Sequence, residues 1–228
     1  MMNGAYIKGE MVRELLDLLI GKGELQDREY TIYRNYFYDD ASYACGNEDE
    51  LEKEPFDFVV IPRVLMDGED NRQNEFILSF QSRYGFDYEE FMAEYGLNYW
   101  EMQVAHSLLH EVGHIIDVDN DIKKNGWLKE NKEDAMEYEE LLLIESEISK
   151  IKVWEKYREI RGETKADKKA IELLTKYTNE IVDIIKSGVL ICSESELAIM
   201  DGTSEEKRYH SLMGEYDLDL EEDDEWYF

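Results

Sequence analysis

The spacing of apolar residues along the chain changes near Tyr88. Upstream of it the pattern is mixed. "MVRELLDLLIGKGE" places apolar residues at helical intervals and predicts a short amphipathic helix over 11–20 that stops at Gly21. "REYTIYRNYFYDD" is aromatic and β-branched, alternates in part at Tyr30, Ile32, Tyr36 and Tyr38, and predicts a strand. "FDFVVIP" predicts a short buried strand ended by Pro62, and "EFILSFQ" predicts a third. The acidic loop "NEDELEKEPFD" and the turn-rich "MDGEDNRQN" punctuate this region. Residues 1–87 are thus expected to form a mixed part with a small antiparallel sheet.

From Tyr88 on, the period becomes about 3.6 residues. "YEEFMAEYG" predicts a short helix closed by Gly96, and a longer helix follows over 98–117. Its apolar stripe is Ala105, Leu108, Val112 and Ile115, with His106, His110, Gly113, His114 and Asp117 beside it. A third helix is expected over 130–159, burying Tyr138, Leu141, Ile144, Ile148, Ile151 and Trp154. A fourth is expected over 163–186, with Ala166, Ala170, Leu174, Tyr177, Ile181 and Ile184 on one face and Gly188 as its stop. The last forty residues read as irregular and then acidic, and no internal repeat is present. The expected class is α+β: a small antiparallel sheet packed on a mainly helical core. The expected division is a mixed part over 1–87, a helical core over 88–187 and an acidic segment over 188–228.

Composition narrows the function classes. The chain has 228 residues and is 43% hydrophobic, which supports a packed core. Its net charge is -30, from 55 acidic and 25 basic side chains. Such a field repels nucleic acid and anionic membranes and attracts basic protein surfaces. The two cysteines, Cys45 and Cys192, have no metal-ligand spacing and read as ordinary thiols of a reducing compartment. "LLDLLI" is too short for an export signal and is interrupted by Asp17; no apolar run reaches membrane-spanning length. The expected location is cytoplasmic.

The candidate chemistry lies in "LLHEVGHIID", which contains H-E-x-x-H. Residues i and i+4 stack on one helix face, so His110 and His114 can meet one tetrahedral cation. Glu111 leans aside and can serve as general base toward a water activated by zinc. Two histidines on a surface helix by chance are the plain alternative. Against it stand the apolar flanks, and three of the four histidines fall between His106 and His114. Asp117, one turn further, shares the face but is placed to support a ligand rather than to be one. "DVDND" resembles the start of a calcium loop, but Ile122 and Leu128 stand where the loop needs glycine and glutamate.

A candidate third ligand lies in "REIRGETKADKKAIELL". Glu163 and Asp167 are four apart, on the face of Ala170 and Leu174, which should look inward. Inward carboxylates are costly without a cation. Glu163 would ligate zinc, and Asp167 would accept the second N–H of a ligand histidine. Two acids at a helix N-terminus also suit the helix dipole; the H-E-x-x-H upstream favours the ligand assignment.

H-E-x-x-H followed by E-x-x-x-D resembles the gluzincin pattern. The stretches "LLHEVGHIID" and "YREIRGETKADKKAIELL" resemble the ImmA/IrrE-type zinc peptidases often encoded by phages and mobile elements, whose E-x-x-A-D-x-x-A corresponds here to Glu163, Ala166, Asp167 and Ala170. The resemblance covers about 88–177. It implies a small zincin-like core of helices and a few strands, with zinc on His110, His114 and Glu163. The gap from His114 to Glu163, 163 − 114 = 49 residues, exceeds that of compact members and implies an inserted helical arm around 130–159.

The expected function is a cytoplasmic zinc metallopeptidase that cuts a peptide bond in a specific, regulatory protein target. Tyr157, His210 and His106 are candidate donors for the attacked carbonyl. "EFILSFQ" could hold an extended peptide by strand addition, or be an ordinary strand. The alternative is a catalytically silent acidic protein that mimics DNA and covers a basic nucleic-acid-binding surface. The acidic tail, which ends in Trp226, Tyr227 and Phe228, is either a solvated end or an aromatic anchor beside such a surface.

Overall fold

A computed structural model describes residues 4–28, 30–34, 42–44, 57–60, 63–64, 84–126, 129–143 and 156–192. In chain order the elements are β1 (Gly4–Ile7), α1 (Gly9–Gly21), β2 (Thr31–Arg34), β3 (Ser42–Ala44), β4 (Asp57–Val60) and β5 (Arg63–Val64). There follow α2 (Tyr88–Tyr95), α3 (Tyr99–Asn125), α4 (Lys129–Leu143), α5 (Arg161–Lys176), α6 (Thr178–Gly188) and β6 (Val189–Cys192).

The fold is helical, which corrects the α+β expectation. The described helices run from 8 to 27 residues, whereas the strands have two to four. The expected antiparallel sheet is also not the pairing found. β2 and β4, the two described segments of the expected strands, pair parallel, and β3 joins β4 antiparallel. β1 pairs antiparallel with both β5 and β6 and ties the two ends of the described chain together. "EFILSFQ", residues 144–155 of the expected arm, and the segment from 193 to 228 lie outside the described residues. No described helix is long and apolar enough to cross a membrane.

The core explains why the helices form where they do. α1 buries Met11, Val12, Leu15, Leu16 and Leu19 at helical spacing. α3 is the central element. Asn98 and Glu101 close a capping box at its start, and Gly126, at φ 75°, ends it in the left-handed conformation that glycine adopts without steric cost. It buries Met102, Ala105, Leu108, Leu109, Val112, Ile115 and Val118 against α5 and α6, in the one hydrophobic core that also takes the buried face of α1. It runs eight residues beyond the expected end at Asp117. "DVDND" is helical because its acids find tertiary partners: Asp117 meets Lys165 at 2.7 Å, and Asp119 takes both hydrogen bonds from Arg28 at 2.8 Å.

The expected helix over 163–186 is two. Tyr177, at φ -124° and ψ 36°, separates α5 from α6. The hydroxyls of Thr175 and Thr178 donate back to the carbonyls of Ile171 and Leu174, a local bonding that weakens a helix at this point. α4, the described part of the expected arm, leans on α3 and α5 through charge. Arg161 bonds Asp134 and Glu130, and Lys165 bonds Glu130 at 3.1 Å.

Candidate metal centre

The centre is built where α3 crosses α5. A methyl group on Gly113 would stand 2.7 Å from the Cα of Ala166 and 2.8 Å from its carbonyl oxygen. Only a residue without a side chain fits that approach. Gly113 lies between His110 and His114, and Ala166 between Glu163 and Asp167. The close crossing therefore brings the two motifs face to face.

His110 Nε2 lies 3.3 Å from one oxygen of Glu163, and His114 Nε2 lies 3.2 Å from the other. The two Nε2 atoms are 3.0 Å apart. Ligand atoms bound to zinc at ordinary lengths and tetrahedral angles stand about 3.3 Å from one another. The three distances, 3.0–3.3 Å, are close to that although the two to Glu163 end on different oxygens, and the set is a nitrogen, nitrogen and carboxylate donor set that zinc accepts.

Behind the ligands lies a buried polar layer. His110 Nδ1 is 2.7 Å from Asp167 Oδ1. With the proton on Nδ1 donated to that carboxylate, the Nε2 lone pair turns toward Glu163 and His114. His106 sits 3.7 Å from the same oxygen, and its Nδ1 is 3.1 Å from the Tyr88 hydroxyl. Arg158 donates to Glu163 Oε2 at 2.8 Å and also to Asp167 Oδ1. Tyr157 donates to Glu163 Oε1 at 2.7 Å, and its ring packs edge-on against Tyr138 of α4.

The electrostatics follow from burial against pairing. Burial opposes the charge on His110, but Asp167 and Glu163 outweigh it and push the ring up to about 9. Burial raises Glu163 and Asp167, yet their partners win. The histidines hold Glu163 well below the usual carboxylate range; His106, His110 and Arg158 hold Asp167 at about 2. Glu111 goes the other way: burial pushes its carboxyl up, and the pull of His110 and His114 does not cancel that. His106 is held down by burial.

The structure thus brings together His110, His114, Glu163, Asp167 and Tyr157, with Glu111 close enough to feel both His110 and His114. Tyr157 meets the centre through Glu163 rather than through an open hydroxyl. His106 lies behind Asp167, and Asp117 is taken by Lys165 and Arg161. His210 lies outside the described residues. Sequence reasoning missed Arg158, Tyr88 and the Gly113–Ala166 contact. Only the last left a signal, as small residues at matching places inside both motifs. No protein-family model matches the sequence, and no curated protein or solved structure matches the chain.

Proposed function

We propose that the protein is a zinc-dependent metallopeptidase that hydrolyses a peptide bond in a specific protein target. The observation that carries this reading is the convergence of His110, His114 and Glu163, whose donor atoms approach within 3.0–3.3 Å, close to the spacing around a tetrahedral zinc ion. Zinc held there would supply a Lewis acid that brings the pKa of water toward neutrality and polarises a carbonyl. The remaining roles fall to the chain. Asp167 fixes the tautomer of His110. Glu111 follows the first ligand in sequence but belongs to no ligand triangle among the described residues, which leaves its carboxylate for proton transfer. Burial raises its carboxyl and makes it a stronger base, which would take a proton from the attacking water and deliver it to the leaving amine.

The test has two parts. Metal analysis of protein purified without chelator should find one zinc per chain, and His110→Ala or His114→Ala should abolish it. Cell lysate incubated with the zinc-loaded protein, then profiled by mass spectrometry of new amino termini, should show a few cleavages that are absent with Glu111→Gln. Zinc binding without any new terminus would leave a metal-binding protein and reject the peptidase.

A further inference from the structure

We propose that Arg158 is a positioning residue that stands in for the charge of the metal and keeps the centre assembled before zinc arrives. This rests on the zinc reading of His110, His114 and Glu163. Glu163 and Asp167 are 6% and 0% exposed. Two buried carboxylates one helical turn apart repel each other and cannot stay ionised without a cation. Arg158 supplies one from the turn that precedes α5. Its guanidinium is planar and forked: one Nη donates to Glu163 Oε2 at 2.8 Å and the other to Asp167 Oδ1, so a single side chain spans both acids.

The fork leaves room for the metal. Each carboxylate oxygen has two lone-pair directions. Glu163 Oε2 gives one to Arg158 and faces His110 Nε2 at 3.3 Å with the other. Oε1 gives one to Tyr157 at 2.7 Å and faces His114 Nε2 at 3.2 Å. Zinc can therefore enter between the histidines and Glu163 while Arg158 and Tyr157 keep their places behind the carboxylate. Arg158 and zinc compensate the same acids, so their contributions to stability overlap.

That overlap gives a readout that an ordinary structural contact would not produce. Thermal unfolding of the full chain is measured for wild type, Arg158→Gln and Arg158→Lys, each with chelator and with added zinc. Arg158→Gln should melt lower than wild type in chelator, and zinc should restore most of the difference. Its zinc-induced rise in Tm should then exceed that of wild type by about 5 °C or more. Arg158→Lys keeps the charge but cannot span two carboxylates, so its rise should fall between the two. Cobalt(II) in place of zinc reports geometry: wild type should show tetrahedral visible absorption, and the variants a weaker or shifted band. If Arg158→Gln folds only with zinc, the proposal is supported; if zinc does not recover it, the proposal is overturned. Equal loss with and without zinc, or no loss in either, also overturns it and leaves the metal centre standing. Wild type that takes up neither zinc nor cobalt rejects the metal centre itself.

Discussion

Gly113→Ala adds one methyl group at the crossing of α3 and α5, where the backbone of Ala166 already fills the space. The new Cβ would stand 2.7 Å from Ala166 Cα, against 3.4 Å for the start of ordinary contact, so the helices must part by about 0.7 Å. The clashing atoms are backbone, which cannot swing away. Overpacking of this kind costs about 1–3 kcal/mol. Exchanging glycine for alanine inside a helix returns about 1 kcal/mol, so the net loss should be about 0–2 kcal/mol. For a chain of this size that lowers Tm by up to about 8 °C.

The effect on metal should be larger than the effect on stability. Ligand distances in a zinc site are held to within about 0.2 Å. A shift of about 0.7 Å between the histidine helix and the Glu163 helix exceeds that tolerance several-fold. Zinc affinity should fall on the order of 10–100-fold, the range seen when groups that orient ligands are displaced. The assay is zinc titration against a competing chelator, with thermal melting in parallel. Gly21→Ala is the control, because nothing lies within 4 Å of its added carbon; it should leave both readouts unchanged or raise Tm slightly. Wild-type zinc affinity and melting in Gly113→Ala would refute the reasoning, because the crossing could then not be what sets the ligand geometry.

Other expected outcomes can be checked with the same protein. Asp167→Asn should weaken zinc binding on the order of 10–100-fold by chelator competition, less than Glu163→Ala does, because Asp167 reaches the metal only through His110. The His110 proton sets a pH window. Its folded value, about 9, lies above the ordinary 6.5, so its contribution to the metal-free protein is full below 6.5 and is lost as pH rises to about 9. Zinc must displace that proton, so zinc affinity should rise over the same window by up to about tenfold per pH unit, read by titration at several pH values. Arg161→Ala leaves the partly buried Asp134 short of its partner and should lower stability in denaturant unfolding, with the loss concentrated in the amide exchange of α4.

What the sequence made legible shares one property: it is local. His110 and His114 sit four apart, as do Glu163 and Asp167, and helix geometry alone puts each pair on one face. The helices that carry them were readable for the same reason, α3 from the buried stripe of Ala105, Leu108, Val112 and Ile115 and α5 from that of Ala166, Ala170 and Leu174. What was not legible depends on partners far along the chain. β1 and β6 pair across some 180 residues, and neither strand is long enough to show a pattern. The sequence pattern ends the helix at Asp117; it continues through "DVDND" once Arg28 and Lys165 are brought to its acids. Arg158 lies five residues before Glu163, in a turn where no periodicity applies, so nothing in its spacing marks it as a partner of two buried acids.

The residue that sets the distance between the helices lies inside the proposed metal-binding motif. Gly113 is flanked by His110 and His114 on α3, and Ala166 by Glu163 and Asp167 on α5. Leu109, Val112, Ala170 and Leu174, buried on the same two helices, belong to the one hydrophobic core. Ligand geometry and core packing are thus set by the same contact and cannot be adjusted separately. A side chain enlarged anywhere along this seam moves Glu163 relative to the histidines, and zinc pulling the three ligands together draws the seam closed. Metal binding should therefore stabilise α3 and α5 as a unit, well beyond the few residues that touch the ion.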